Sequence, residues 1–314
     1  MSWFEKSKNY SYILLFLVSL STISFLIGLF IKSNSNKISK KQDTETSISI
    51  TIAGDVANSS SQTNIGAYST AKIIEKLNPD LVLVAGDLIY NDNYDLYDSS
   101  WGSFKEKTYP SRGNHDNLPI FDEYWGPDKA ATANRNNYSF NSYDNNWHFI
   151  AINSNVCNTK KGAEGCDASS ETYSWLKKDL EINHGKNVLA YWHHPRYSSL
   201  GIEPNQDDHY DNDFMDPIWE LLVEYRVDIV VTGHLHTYER YNQKTDGIRY
   251  FLVGTGGTTP NACGEGGFLG KPAVCTSDWG VLNLNLKNNF YEWTFHRASP
   301  GVQIFDQGQE PVND

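Results

Sequence analysis

The residues of this chain that are best suited to chemistry lie in five short polar blocks. In order along the sequence, the blocks are "GD" at 54–55, "GDLIY" at 86–90, "GNHD" at 113–116, "HHP" at 193–195 and "GHLH" at 233–236. Each block alone could be a turn or a surface loop. Together they supply carboxylates, imidazoles and an amide oxygen, which are ligands for borderline-to-hard metal ions. A pair of such ions about 3.5–4 Å apart can hold the attacking and leaving oxygens of a displacement at phosphorus, so the blocks indicate a dinuclear metal site.

Most of the blocks follow apolar runs that have the length of β-strands. "SISITIA" precedes the first block, "DLVLVA" precedes the second, and "NVLAY" and "DIVV" precede the two histidine blocks. Helical patterns at 69–78, 169–183 and 213–225 separate some of these runs. Strands that alternate with helices predict an α/β fold with largely parallel, buried strands. In such folds ligands bind at the C-terminal ends of the strands, where the polar blocks are expected.

The remaining pattern predicts one catalytic domain at residues 47–308. Alternation in "VLNLNLKNNFYEWTFHR" at 281–297 predicts an antiparallel hairpin near the end of this domain. The sequence contains no repeat and no second hydrophobic unit. The polar residues at 309–314 are expected to form a loose tail.

The N-terminal segment is separate from this domain. Tyr12–Ile31 is an apolar stretch of 20 residues without charge, and lysines lie on both sides of it. Its length suits a membrane span and exceeds the apolar region of a cleaved signal peptide. Residues 1–31 are therefore interpreted as a cytoplasmic stub with a signal-anchor, and a cleaved signal peptide is the alternative. The polar residues 32–46 are interpreted as a flexible linker, so the catalytic domain is expected to be exported and either membrane-anchored or secreted.

The charge of the chain restricts its binding partners. The formal net charge is -12, with 26 Lys and Arg residues against 38 Asp and Glu residues. Binding to a nucleic-acid backbone needs clustered basic residues, so no nucleic-acid partner is expected. An acidic protein can still bind a small phosphate ester where a metal ion supplies the positive charge. The segment "GTGGTTP" at 254–260 lacks the lysine of a P-loop, which disfavours a nucleotide-hydrolysing switch.

The 4 cysteines fall into two local pairs, Cys157 with Cys166 and Cys263 with Cys275. An even number of cysteines in an exported chain indicates disulfides, and four cysteines allow three connectivities. The local pairing is preferred because each pair closes a short polar loop. A zinc site is the competing interpretation, but neither spacing resembles C-x2-C.

Taken together and in this order, Asp55, "GDLIY", "GNHD", "HHP" and "GHLHTYER" resemble the motifs of the calcineurin-like metallophosphoesterases, and specifically those of the purple acid phosphatases. The resemblance covers most of residues 48–307. It implies an α/β fold that is a four-layer α/β/β/α sandwich of two mixed sheets, with a dinuclear centre at the strand ends.

The resemblance also implies a set of ligands for each ion. The first ion is Fe(III) in purple acid phosphatases, and its implied ligands are Asp55, Asp87, Tyr90 and His236. The second ion is a divalent Zn, Mn or Fe, and its implied ligands are the shared Asp87 together with Asn114, His193 and His234.

Four further residues receive possible roles near the substrate. The resemblance implies that His115, with Asn114, faces the substrate, where His115 stabilises phosphoryl oxygens or protonates the leaving group. Asp116 is expected to orient the His115 imidazole. His194 is a possible substrate contact, with a structural hydrogen bond as the alternative. His209 is a weaker candidate for a substrate histidine, because its acidic neighbours favour a surface loop.

The sequence departs from the wider family at two places. Many calcineurin-like enzymes carry Asp-x-His in the first motif, whereas Ala57 occupies the histidine position here. The phenol of Tyr90 can fill that vacancy, and a phenolate is a hard donor that suits Fe(III). The short linker is also interpreted as leaving no room for the extra N-terminal β-domain of the large plant relatives.

These observations predict a dinuclear, metal-dependent hydrolase that acts on phosphoric ester bonds. The expected substrates are small phosphomonoesters, and the expected reaction is attack by a metal-bound hydroxide, as in purple acid phosphatases. One alternative is a phosphodiesterase of the same fold. Another is a non-catalytic metal-binding or interaction domain, although decay of an enzyme would normally delete a ligand or His115, and neither loss is seen.

Overall fold

Two mixed β-sheets form the centre of the molecule in the computed structural model, which describes residues 47–58, 63–92, 94–130, 137–201, 211–242, 245–298 and 303–313. The strands are β1 (Ile48–Ala53), β2 (Leu81–Ala85), β3 (Thr108–Ser111), β4 (Tyr138–Asn141), β5 (Trp147–Ala151), β6 (Asn187–Trp192), β7 (Ile229–Thr232), β8 (Tyr238–Arg240), β9 (Arg249–Val253), β10 (Val274–Thr276), β11 (Gly280–Leu286), β12 (Phe290–Arg297) and β13 (Gln303–Pro311). The helices are α1 (Thr63–Leu77), α2 (Asp95–Ser100), α3 (Leu118–Trp125), α4 (Pro127–Ala130), α5 (Glu171–Ile182) and α6 (Asp216–Glu224). The expected membrane segment, the linker and His209 lie outside the described residues.

The strand order brings the polar blocks to one edge of each sheet. The first sheet has the order β13-β12-β11-β1-β2-β3, and the second has the order β10-β8-β9-β7-β6-β5-β4. β1, β2 and β3 run parallel to one another, as do β5, β6, β7 and β9. The predicted hairpin is confirmed, because β11 and β12 pair in antiparallel fashion.

Alternate residues of the strands fill two apolar layers. In β6, Leu189 and Tyr191 belong to an apolar cluster that contains residues of both sheets and of α1. Val188 and Ala190 belong to the core that packs beneath α5 and α6. Strands that are buried on both faces read as continuous apolar runs, which explains the pattern in the sequence. The four-layer sandwich of two mixed sheets is therefore confirmed.

The helical pattern at 169–183 corresponds to α5, which begins with a serine cap. Ser170 precedes the helix, and its side chain accepts a hydrogen bond from the Tyr173 N–H. A serine at this position satisfies one of the free N–H groups of the first turn.

The expectation of a loose tail at 309–314 is wrong for its first residues. β13 extends to Pro311 and pairs with β12 along its whole length. Its sequence is polar because most of its side chains are exposed, and backbone hydrogen bonds rather than apolar burial hold it in the sheet. Two side chains of this strand anchor it, since Asp306 pairs with Arg240 and Glu310 pairs with Arg249.

Both expected disulfides are present. Cys157 is bonded to Cys166, and Cys263 is bonded to Cys275. The local pairing is confirmed, and it leaves no thiolate of these residues for a zinc site. Within the part of the chain that is described, no helix is both long and apolar enough to span a bilayer.

Candidate metal centre

The five polar blocks converge because they follow neighbouring parallel strands. Asp55 lies just after β1 and Asp87 just after β2, and the Asp55 N–H donates to the Gly86 carbonyl at 3.0 Å. In the second sheet, His193 follows β6 directly, and the Gly233 N–H donates to the His193 carbonyl at 3.0 Å. The backbone pairing of the strands thus continues into the loops and fixes the position of each side chain.

Three of the candidate ligands have a strained backbone. Asp55, Asp87 and His234 have φ angles of 63°, 50° and 73°, which lie in the left-handed region. Such conformations cost a non-glycine residue on the order of 1 kcal/mol or more, and they concentrate at functional sites. Their coincidence at the ends of three strands supports this edge as the functional one, and only the backbone conformations themselves had no signal in the sequence.

Two glycines permit the close approach of the loops to the carboxylates. A Cβ atom on Gly113 would lie 2.1 Å from Asp87 Oδ1, and one on Gly233 would lie 2.7 Å from Asp55 Oδ2. The glycines of "GNHD" and "GHLH" are therefore required by space, because any side chain there would collide with a candidate ligand.

The first group of donor atoms contains the phenol of Tyr90. The Tyr90 hydroxyl lies 2.9 Å from Asp55 Oδ1 and 3.2 Å from His236 Nε2. His236 Nε2 in turn lies 3.3 Å from Asp55 Oδ1. Adjacent ligand atoms on an octahedral ion with bonds of about 2.1 Å lie about 3 Å apart, so this triangle has the dimensions of one face of a coordination shell.

The second group surrounds His193 Nε2. This nitrogen lies 2.9 Å from Asn114 Oδ1, 2.9 Å from His234 Nδ1 and 3.3 Å from Asp87 Oδ2. Candidate ligand atoms of Asp87, His193 and His234 all lie within 4.8 Å of one another. One imidazole nitrogen cannot donate a proton to three partners at once, whereas a cation can be shared by all four atoms.

Hydrogen bonds outside the two groups orient the imidazoles. His193 Nδ1 lies 3.0 Å from the Ala85 carbonyl, and His236 Nδ1 lies 2.8 Å from the Thr259 carbonyl. A carbonyl accepts from Nδ1–H, which leaves the Nε2 lone pair directed at the donor group. The His236 N–H also donates to Asn261 Oδ1 at 2.9 Å. Thr259 and Asn261 were missed by sequence reasoning, because nothing in the polar segment that contains them distinguishes them.

The charges of the site explain how it would hold cations. Burial opposes the ionisation of Asp55 and Asp87, but the neighbouring histidines outweigh it and lower the pKa of both carboxyls. Burial would lower the pKa of His193, but the charges of Asp87 and Asp55 raise it to about 9. Burial and the same two carboxylates raise the pKa of Tyr90 well above its usual value. Without a metal ion, protons on His193 and Tyr90 therefore balance the charge of the two carboxylates. Cations could replace these protons, and the donor atoms of the site suit them.

Asp87 is close to both groups. Its charge raises the pKa of Tyr90 in the first group and that of His193 in the second. Its Oδ1 atom accepts the His115 N–H at 2.9 Å, while Oδ2 faces His193. This location is what a ligand shared by two ions requires.

The structure gives Asp116 a different role from the expected one. Its buried carboxylate accepts hydrogen bonds from the N–H groups of Leu88, Ile89 and Gly113, at 2.9, 3.2 and 2.8 Å. Both oxygens are therefore used to hold the "GDLIY" and "GNHD" loops together, so the expectation that Asp116 orients the His115 imidazole is corrected.

His115 is exposed at the mouth of the site, and its ring centroid lies 4.5 Å from that of Tyr90. His194 is fully buried instead. Its Nδ1 atom lies 2.8 Å from Ser154 Oγ, and its ring packs 4.7 Å from that of His234. A substrate contact by His194 is thus corrected in favour of the structural alternative, because no surface of the residue faces the solvent.

Comparison with known proteins is consistent with this arrangement. The profile of the calcineurin-like phosphoesterase family matches residues 48–238. The chain is 28% identical over 241 residues to purple acid phosphatase 15 of Arabidopsis thaliana, and the match covers 60% of this chain and 43% of that protein. It is also 28% identical over 206 residues to a probable cyclic nucleotide phosphodiesterase of Moraxella catarrhalis (strain BBH18), which covers 59% of this chain and 68% of that protein. The chain spans about half the length of the plant relatives it matches.

A solved structure of a purple acid phosphatase from yellow lupin (Lupinus luteus) seeds shares the fold. It superimposes with a TM-score of 0.64 at 18% sequence identity, and the match covers 85% of this chain and 54% of that chain.

Proposed function

Because the chain belongs to the calcineurin-like phosphoesterase family, we propose that it is a hydrolase that cleaves phosphomonoesters at a dinuclear metal centre. The observation that carries the proposal is the convergence of two donor groups on Asp87, with each group's histidine oriented by a backbone carbonyl. An interaction domain without catalysis has no need of this arrangement.

We assign one ion to each donor group. Asp55, Asp87, Tyr90 and His236 would hold Fe(III), which a phenolate suits. Asn114, His193 and His234, with the shared Asp87, would hold a divalent Zn, Mn or Fe ion. When bound, the two cations would neutralise charge on the phosphoryl oxygens and lower the pKa of a coordinated water.

The side chains at the mouth of the site would bind the substrate and move the proton. His115 is exposed and adjacent to Asn114, and its N–H anchors it to Asp87. Its imidazole is therefore placed to donate a proton to the leaving oxygen or a hydrogen bond to the phosphoryl group. The ring of Tyr90 lies against this imidazole and limits its orientations.

Turnover of two chromogenic esters tests the proposal. Metal-loaded protein is expected to release p-nitrophenol from p-nitrophenyl phosphate faster than from bis(p-nitrophenyl) phosphate. His115→Ala is expected to lower kcat by about 100-fold or more while the metal content stays unchanged. If metal-loaded protein cleaves neither ester, the enzyme proposal is wrong and the non-catalytic alternative is preferred.

The second candidate function is a phosphodiesterase on the same metal centre. The similarity to the probable cyclic nucleotide phosphodiesterase of Moraxella catarrhalis favours it. In that case the bis ester, or a cyclic nucleotide, would be cleaved with the higher kcat/KM.

We also propose that the catalytic domain is exported. The two disulfides support this, because disulfides persist in oxidising compartments. Tyr12–Ile31 would serve as the membrane anchor, or as a signal peptide that is removed. Fractionation of cells followed by N-terminal sequencing distinguishes the two, and recovery of reduced protein from the cytoplasm would contradict export.

A further inference from the structure

A sixth polar block follows an apolar run and supplies none of the donor atoms described above. The run "HFIAI" ends in "NSN" at 153–155, just after β5. We call these three residues the NSN turn. β5 runs parallel to β6 and beside it, so the NSN turn reaches the same edge of the sheet as His193. Asn153 and Ser154 are almost completely buried, which polar side chains rarely are unless they bind a partner.

Asn155 holds the backbone that leads into Asn114. Its Nδ2 atom donates to the Gly113 carbonyl at 3.0 Å and lies 3.3 Å from the Arg112 carbonyl. The Gly113 carbonyl belongs to the peptide bond between Gly113 and Asn114. On the other side of the same residue, the Gly113 N–H donates to Asp116 Oδ2 at 2.8 Å. The location of the Asn114 side chain therefore depends on the Asn155 amide.

Ser154 holds the backbone next to His193 in a similar way. Its Oγ atom accepts the His194 N–H at 3.0 Å and lies 2.8 Å from His194 Nδ1. This N–H belongs to the peptide bond that follows His193. Asn114 Oδ1 and His193 Nε2 lie only 2.9 Å apart. Two adjacent residues of the NSN turn thus hold the two loops that present neighbouring candidate ligands of the second ion.

The NSN turn is itself fixed by several contacts. Asn153 Oδ1 accepts the Asn155 N–H at 3.2 Å and the Asn155 side-chain amide at 2.8 Å. The Asn153 N–H donates to Asn137 Oδ1 at 2.8 Å. The disulfide between Cys157 and Cys166 closes the segment that follows the turn. A support that is fixed in this way can hold ligand loops at a set distance from each other.

We propose that Ser154 and Asn155 are positioning residues for the second metal ion, because they set the distance between Asn114 and His193 and thereby the affinity for a divalent ion. The proposal rests on the proposed function at a dinuclear metal centre. Groups that orient metal ligands contribute about 10- to 100-fold in metal affinity. The contacts of both side chains with the site are made to the loops of the second donor group, so the ion beside Tyr90 would be affected much less.

Calorimetric titration of the iron-loaded protein with Zn²⁺ tests the proposal. Asn155→Ala and Ser154→Ala are each expected to raise the Kd of the divalent ion about 10- to 100-fold. Both variants should keep the phenolate-to-iron charge-transfer band of the wild-type protein, which general destabilisation of the fold would not spare. An unchanged Kd in both variants would overturn the proposal, and so would loss of the band together with the divalent ion.

Asn283→Ala is the matched control, because its amide also donates to the backbone of a neighbouring segment. Asn283 Nδ2 donates to the Ile50 carbonyl at 2.8 Å within the first sheet. The variant loses a hydrogen bond of the same kind, but its Kd for Zn²⁺ should stay within about twofold of the wild-type value. A rise in Kd as large as that of Asn155→Ala would show that the effect is general, and the proposal would then be wrong.

Asn261→Ala is expected to show the reverse selectivity. Asn261 Oδ1 accepts the His236 N–H at 2.9 Å, and the Asn261 N–H donates to the His236 carbonyl at 3.0 Å. Both contacts act on the first donor group. The variant should therefore release iron to a competing chelator more readily than Asn155→Ala does, and its charge-transfer band should fade accordingly. Faster loss of iron from Asn155→Ala than from Asn261→Ala would contradict the assignment of Asn155 to the second ion.

These titrations need no turnover, so they separate failure of the positioning role from failure of the enzyme proposal. If metal-loaded protein cleaves neither p-nitrophenyl ester while Asn155→Ala still weakens Zn²⁺ binding, the positioning role is supported and only the enzyme proposal fails. If the wild-type protein cleaves an ester but binds Zn²⁺ no more tightly than Asn155→Ala and Ser154→Ala do, the positioning role alone is refuted.

Discussion

Replacing Gly113 with alanine is expected to displace Asp87 and to lower kcat/KM about 100-fold. The added Cβ atom would lie 2.1 Å from Asp87 Oδ1 and 2.2 Å from the Asp87 backbone nitrogen. An ordinary contact of a Cβ atom begins at 3.4 Å, so one of the two loops must move by more than about 1 Å. Rotation of the Asp87 side chain alone could not relieve the overlap, because the added Cβ atom would also collide with the Asp87 backbone nitrogen.

The displacement acts on the shared candidate ligand. Asp87 is held by the His115 N–H on one side and faces His193 on the other, so it has no free direction in which to move. A misplacement of about 1 Å at a catalytic group costs on the order of 100-fold in rate. The overpacking itself is expected to destabilise the fold by about 1–3 kcal/mol.

Gly126→Ala separates the catalytic effect from loss of stability. Gly126 has a φ of 73°, and a Cβ atom there would meet nothing within 4 Å. With a ψ of 175°, Gly126 lies in a region that is almost exclusive to glycine, so alanine there costs about 1–3 kcal/mol of backbone strain, comparable to the cost expected for Gly113→Ala. Both variants should therefore unfold at a lower temperature than the wild-type protein, but Gly126→Ala should keep its activity.

The assay combines thermal unfolding, metal content and the rate of p-nitrophenyl phosphate cleavage. A Gly113→Ala protein that retains its metal and cleaves the ester within about threefold of the wild-type rate would contradict the expected displacement of Asp87. Loss of activity to the same degree in Gly126→Ala would show that the effect reflects general destabilisation.

Three further outcomes are expected. Tyr90→Phe should abolish the visible phenolate-to-iron charge-transfer band of the iron-loaded protein, because it removes the hydroxyl that lies 2.9 Å from Asp55 Oδ1; a variant that keeps the band would exclude Tyr90 as a ligand. Replacing both Cys157 and Cys166 with serine should lower the free energy of unfolding by about 2 kcal/mol in chemical denaturation, and an unchanged midpoint would show that the loop is rigid without its bond. Burial opposes the ionisation of Asp306, but hydrogen bonds from Arg240 and Tyr238 lower its pKa. The ion pair should therefore stabilise the fold above the unfolded-state pKa of about 3.9 and lose this effect as the pH falls. Asp306→Asn should accordingly be less stable than the wild-type protein at pH 7, with a difference that narrows below about pH 4, and a constant difference would contradict the assignment.

The sequence predicted the parts of the fold and site that depend on apolar runs. β1, β2, β6 and β7 were recognised because strands buried on both faces are continuously apolar, and the polar residues that follow them were therefore assigned to one edge. Asp55 and His234 lie far apart in the sequence, yet the His234 N–H donates to Asp55 Oδ2 at 2.8 Å. Order along the chain and strand polarity were sufficient to bring them together.

Features that depend on the backbone of a distant segment could not be predicted in this way. β13 is largely polar, so its own sequence does not identify it as a strand. It forms a strand because its backbone pairs with that of β12. Asp116 was assigned to the imidazole beside it in sequence, whereas its carboxylate binds the N–H groups of a loop that follows another strand. For His194, alternation along an extended chain left a substrate contact and a structural hydrogen bond both open. Its burial and its contact with Ser154 decide for the structural hydrogen bond, and neither is visible in the sequence.

The position of β1 in its sheet also decides when the candidate metal site can form during synthesis. β1 lies between β2 and β11, and Ile48 is paired with Leu286, although most of the chain separates the two in sequence. Asp55 emerges early from the ribosome, but the strand that carries it gains its second neighbour only when β11 has been made. Pairing across such a separation is slow and leaves strand edges open to aggregation. The first candidate ligands are thus synthesised long before the strand pairing that holds them in place can be completed.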